Sequence, residues 1–302
     1  MRSKYILILL LFLSQLIILT GCVKKEQTSD KINIVVSIAP LAEFVEKVGG
    51  DKVNVSVMVP EGASPHAYEP KPSQLVGVSR ADIYVKVGTP IEFELIWIDK
   101  LISLSKKMLV IDASENTKLL LSEHEHEHGN HDHEHNHSHG QSADPHVWLS
   151  PENAQKMVKN ISRGLIKIDP ENTEFYKQNT DEYLHELQRL DIEIETKLAE
   201  KKNRKFLVYH PAWSYFARQY NLEQISIEDE GKAPTAKGIQ RTIETSKKNQ
   251  IKIVFASPQF DRGNADLIAR EIDGNVIFIS SMEKAYISNI RNLTQKLFES
   301  ME

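Results

Sequence analysis

The sequence predicts an α/β protein of two lobes, each a parallel sheet flanked by helices, joined by one long rigid linker helix. Three observations carry this reading. Short β-branched runs alternate with stretches of helical periodicity, and four such runs fall in each half of the chain. Between the halves, a one-sided apolar stripe at helical spacing runs through residues 171–199. Alternation of strand and helix implies parallel sheets with right-handed crossovers.

Taken in order, the strands of the first half are expected at Ile32–Ile38, Val53–Val59, Ile83–Val87 and Met108–Ile111. Those of the second are expected at Phe206–Tyr209, Gln224–Ile227, Ile253–Ala256 and Asn275–Ile279. Helical patterns lie between them at Leu41–Val48, Pro72–Ser79, Ile91–Ser103, Pro151–Ile168, Ala212–Tyr220, Thr235–Lys248, Ala265–Ile272 and Lys284–Glu299. Asp169-Pro170 supplies a helix N-cap and a first-turn proline. After it, Tyr176, Tyr183, Leu187, Leu190, Ile194 and Leu198 recur on one face up to the polar run Lys201–Arg204. At about 1.5 Å per residue this makes a strut of roughly 40 Å. His185 falls off the stripe and is expected to face solvent.

The N-terminus reads as a secretory signal. Arg2 and Lys4 precede an apolar run from Ile6 to Leu19, which ends in Leu19-Thr20-Gly21-Cys22. The last four residues match a bacterial lipobox, implying cleavage before Cys22 and a lipid on that thiol. The run is short for a span of about 20 residues, and Cys22 is the one cysteine of the chain, which excludes an internal disulfide. The expected organisation is a signal peptide at 1–21, a tether at 22–31, a first lobe at 32–170, a linker helix at 171–200 and a second lobe at 201–302. The expected location is the outer face of the bacterial cytoplasmic membrane, anchored by lipid.

A formal net charge of −5 with no basic cluster offers nothing to phosphates, so nucleic acid is excluded as a partner. The chemistry lies in the histidines. Eight of the twelve stand at His124, His126, His128, His131, His133, His135, His137 and His139, interleaved with Glu123, Glu125, Glu127, Asp132 and Glu134. A segment without apolar residues cannot bury itself, whereas imidazoles among carboxylates attract divalent transition ions. The stretch 123–140 is therefore read as an auxiliary metal-collecting loop, set against the alternative of a solubilising insertion.

Three further histidines share another context. His66 lies in Ser64-Pro65-His66-Ala67-Tyr68-Glu69-Pro70, His146 in Asp144-Pro145-His146-Val147-Trp148, and His210 in Tyr209-His210-Pro211. Proline fixes its own φ and restricts its neighbour, so less freedom is lost when the imidazole is held for coordination. His66 and His210 follow strands, where open α/β sheets bind ligands beyond the carboxyl ends. A lone histidine of this kind is more often structural; three together point to a metal site.

With these motifs goes a resemblance. Gly62–Pro70, the stretch Glu94–Leu101 with Trp97, Asp144–Leu149, Tyr176 with Asn179, His210–Phe216 and Pro258-Gln259-Phe260 resemble the solute-binding lipoproteins of zinc and manganese ABC importers, the ZnuA-like or cluster 9 group. The likeness runs from about Ile32 to Leu297. It implies two Rossmann-like α/β lobes joined by a long helix, and His66, His146 and His210 around one ion in the cleft. It also implies a monomer that serves a membrane permease and its cytoplasmic ATPase. The acidic histidine run and His210, where manganese relatives usually have Glu, resemble the zinc branch.

The chain departs from the family at two acids. Ser280, in Ile279-Ser280-Ser281-Met282, stands where many relatives place an aspartate ligand, and Ser257 stands where relatives tend to carry Glu. The expectation is a second lobe short of two acids, a site of three neutral imidazoles around a doubly positive ion, and a fourth position left to water, a loop histidine or another residue that the sequence does not place. Nitrogen donors favour Zn2+ over Mn2+. Three competing readings remain: an importer protein for manganese or another divalent metal, a zinc hydrolase with Glu69 or Asp144 as base, and an adhesin or extracytoplasmic zinc buffer using the same site.

Overall fold

The computed structural model describes residues 31–121, 143–228, 233–259 and 262–301. The first sheet contains β1 (Ile32–Ile38), β2 (Val53–Val59), β3 (Ile83–Lys86) and β4 (Leu109–Asp112) in the order β2-β1-β3-β4, all parallel. Helices α1 (Ala39–Gly49), α2 (Pro72–Ser79) and α3 (Glu92–Ser103) make its crossovers. Burial follows position in the sheet. Central β1 is buried continuously from Ile34 to Ile38, as a strand covered on both faces must be, whereas edge strand β2 alternates toward solvent.

After α4 (Pro151–Ile168) comes α5 (Thr173–Ala199), and the second lobe repeats the first topology. Strands β5 (Lys205–Val208), β6 (Glu223–Ser226), β7 (Ile253–Ala256) and β8 (Asn275–Phe278) run parallel in the order β6-β5-β7-β8. Helices α6 (Ser214–Gln219), α7 (Ala236–Lys248) and α8 (Gly263–Glu271) connect them, and α9 (Tyr286–Ser300) closes the chain. All eight expected strands are present within a residue at either end. The helix expected from Ala212 starts instead at Ser214. Pro211 has no N–H to give, and the Ala212 N–H turns back to the His210 carbonyl at 2.8 Å, so the chain bends before it coils.

The long helix α5 is 27 residues, preceded by a 3-10 turn at Pro170–Asn172. Its stripe, Tyr176, Tyr183, Leu187, Leu190, Ile194 and Leu198, is buried, and His185 is exposed. The helix touches both lobes. Near its start Asn179 donates to the Val48 carbonyl (3.0 Å) and Tyr183 to Glu43 (2.6 Å) on α1; further on, Glu193 pairs with Arg291 of α9 (3.0 Å). A single apolar cluster runs from the first sheet through α5 to Phe206, Trp213, Phe216 and Tyr286 of the second lobe. A smaller one lies on the other face of the second sheet, around Leu207, Val254 and Ile268. Among the described residues no helix is long and apolar enough to cross a membrane.

Candidate metal centre

In each sheet the order places a switch point beside the first strand, between β1 and β3 and between β5 and β7, the place where open α/β sheets receive ligands. His210 lies two residues past the end of β5. Tyr209 N–H still bonds the Phe255 carbonyl (2.7 Å), so the strand's ladder carries the imidazole to the sheet's end before Pro211 turns the chain. His66 comes from the loop after β2, whose turns are closed by Ala63 N–H to Pro60 (3.2 Å) and Ala67 N–H to Ser64 (3.3 Å). Tyr68 donates to Gln74 (2.9 Å), and Gln74 in turn to the Met58 carbonyl (2.6 Å), which ties the loop back to β2.

His146 stands before a buried 3-10 turn, Val147–Leu149. Its flanks are pinned from both lobes: Thr89 donates to the Pro145 carbonyl (2.8 Å) and Tyr215 to the Asp144 carbonyl (2.9 Å). The long separations in sequence, 66 to 146 to 210, thus collapse to one point. Nε2 of His210 lies 3.2 Å from Nε2 of His66 and 3.3 Å from Nε2 of His146, and the three ligand atoms all lie within 4.8 Å of one another. His146 and His210 are buried; the His66 side chain keeps 24% of its exposure.

Each imidazole is held from behind by a carboxylate. His66 Nδ1 lies 2.7 Å from Glu92, His146 Nδ1 2.9 Å from Asp144 and His210 Nδ1 2.7 Å from Glu228. A carboxylate accepts only, so each Nδ1 carries the hydrogen and each Nε2 presents its lone pair to the common centre. Three lone pairs facing one another repel, and a cation between them reverses the sign. Burial pushes the His210 pKa down, the bond to Glu228 opposes this, and the neighbouring imidazoles add to the fall, so the ring is neutral near pH 7. Burial alone would raise Asp144 and Glu92, but the bonds to His146 and His66 outweigh it and both carboxyls titrate below their ordinary range.

As the serines led one to expect, no acid of the described residues stands among the three imidazoles, but acid is present behind them. Ser280 and Ser257 carry no charge, and their hydroxyls are engaged elsewhere: Ser280 Oγ accepts the Met282 N–H (3.0 Å), and Ser257 Oγ donates to the Ile279 carbonyl (3.1 Å). Glu92, Asp144 and Glu228 supply the negative charge one bond further out. Glu92 and Glu228 were not singled out by the sequence reading. The signal that could have found Glu228 is that it follows β6 by the same two residues as His210 follows β5. Glu69 is exposed. Among the described residues no fourth His, Cys, Asp or Glu joins the three imidazoles. The histidines at 124–139 and Cys22 lie outside the described residues.

Comparison with known proteins agrees with this architecture. The high-affinity zinc uptake system protein ZnuA of Bacillus subtilis (strain 168) is 32% identical over 265 residues, covering 85% of this chain and 81% of its own. A crystal structure of ZnuA superposes with a TM-score of 0.82 at 38% identity, over 90% of this chain and 99% of the other. The Zn(II)-bound ZnuA-like domain of Streptococcus pneumoniae AdcA gives 0.72 at 28%, over 90% and 99%. Residues 34–300 match the family model described as zinc-uptake complex component A, periplasmic, and the chain belongs to that family.

Proposed function

We infer that this protein is the solute-binding component of a zinc importer, with His66, His146 and His210 holding one Zn2+ as cargo through their Nε2 atoms. One observation carries the ligand assignment. Tetrahedral zinc with Zn–N of about 2.0–2.1 Å separates its nitrogen donors by about 3.3–3.4 Å, and two of the three Nε2 pairs stand at 3.2 and 3.3 Å. An all-imidazole donor set suits zinc, while manganese prefers oxygen. The protein is not an enzyme: Asp144 is occupied with orienting His146, and the family is one of uptake components.

The partners that follow from this role are a membrane permease and its cytoplasmic ATPase. Lipid on Cys22 would keep the protein, as a monomer, at the outer face of the cytoplasmic membrane, in line with the lipoprotein names among its relatives. The histidine run at 124–139 would collect ions and pass them on. The cleft histidines are held in place by Glu92, Asp144 and Glu228, so the cleft should bind more tightly than the run. The deciding experiment is metal analysis of protein purified without chelator or added metal, followed by competition with a zinc chelator. Bound zinc at one tight site supports the reading; manganese retained in preference to zinc would overturn it. Growth in chelated medium separates uptake from buffering, since only an uptake component is needed for zinc to enter the cell.

A further inference from the structure

The imidazole at the centre of the cluster is His210, since its Nε2 lies within 3.3 Å of both others. Its orientation is decided by sheet register. β5 and β6 pair in parallel with Val208 opposite Ser226, and the ladder continues past the strand ends: Ile227 N–H bonds the Val208 carbonyl and Glu228 N–H the Tyr209 carbonyl, both at 2.9 Å. Two residues beyond the last strand pair on each chain, His210 and Glu228 stand side by side, with Nδ1 and Oε2 2.7 Å apart. A slip of one residue would turn the carboxylate to the opposite face. Both side chains are nearly closed to solvent, at 7% and 8% exposure, whereas Glu92 behind His66 is 47% exposed. Water screens the Glu92 charge and leaves that of Glu228 largely unscreened.

We propose that Glu228 is the positioning residue of the centre: it fixes His210 with Nε2 facing the ion and supplies, from inside the second lobe, a buried negative charge that offsets the cation. Glu228 acts through His210 and does not touch the metal. It takes over the electrostatic part of a carboxylate ligand at a site where the serine positions offer none. This rests on the zinc reading above.

Zinc affinity of the full chain, measured by chelator competition, should fall about 10–100-fold in Glu228→Gln. The same change at the screened Glu92 should cost several-fold less. In a His210→Ala background, read on the weaker binding that remains, the loss from Glu228→Gln should shrink severalfold, because the orienting role has nothing left to act on and only the through-space charge persists. A loss in Glu228→Gln of less than twofold, or an equal loss with and without His210, would overturn the assignment. Should the variant not fold, nitrogen-15 spectra of the zinc-loaded unaltered protein decide: His210 must carry its proton on Nδ1 and its metal on Nε2, and the reverse refutes the proposal. Failure of the zinc reading has a different signature, since the unaltered protein would then bind no zinc tightly.

Discussion

Trp148 of the first lobe donates its indole N–H to the carbonyl of Ser281 in the second, at 2.9 Å and fully buried. The same ring stands 5.4 Å from His146, centroid to centroid. One side chain therefore both packs beside the histidine cluster and joins the two lobes that compose it. Replacement by phenylalanine keeps much of the packing and leaves a buried carbonyl without this donor. The variant should lose about 1–3 kcal/mol in urea unfolding monitored by circular dichroism, and release zinc several-fold faster to a chelator.

The three imidazoles should be individually required. In a chain lacking residues 123–140, His66→Ala, His146→Ala and His210→Ala should each abolish tight zinc capture, because two nitrogens and water hold zinc poorly. Competition against a fluorescent chelator measures this directly. Tight binding that survives any one of the three changes would remove that residue from the ligand set.

Stoichiometry separates the cleft from the histidine run. The intact chain should take up more than one zinc, and deletion of 123–140 should bring the count to about one with the tightest affinity preserved. Equilibrium dialysis with elemental analysis gives both numbers. An unchanged count would leave the run without a role in metal binding.

Acid should both empty and loosen the protein. His210 titrates below its ordinary value in the folded state, so the unfolded chain binds its proton more readily. The resulting stability is complete above the unfolded value near 6.5 and is lost as pH falls through the lowered folded one. Asp144 and Glu92, also depressed, add contributions present above their ordinary values and lost at still lower pH. The Tm of zinc-free protein should fall as pH drops below about 6, and zinc affinity should fall more steeply, since protonated imidazole cannot ligate. Calorimetry with and without chelator across pH 4.5–7.5 tests both.

Glu94 predicts a stability effect away from the metal. Buried at 4% exposure, it accepts the N–H groups of Val87 and Gly88 at 2.5 and 3.0 Å where β3 turns into α3. Gly88 holds φ at +87°, and a Cβ there would lie 1.9 Å from Asp112, so only glycine fits this turn. Glu94→Ala would strand one buried and one half-buried donor and should cost about 2–4 kcal/mol in denaturant unfolding. Since α3 carries Glu92, zinc affinity should weaken with it.

Local pattern alone determined a good deal of this protein. β-branched runs bounded by breakers gave all eight strands, a stripe of six apolar residues gave the long helix, and proline-flanked histidines gave the three side chains that meet at the centre. Each of these is a property of a short window of chain, where periodicity and backbone restriction act. Charge at the site was not legible. The serines at 257 and 280 suggested a deficit of acid, because the sequence does not say which carboxylate a parallel register brings beside which imidazole. Only the tertiary structure set Glu228 against His210, 18 residues away, and Glu92 against His66, 26 residues away. Such pairs are fixed by strand pairing and lobe packing, which depend on the fold of the whole chain, and they decide which nitrogen each ring turns toward the other two.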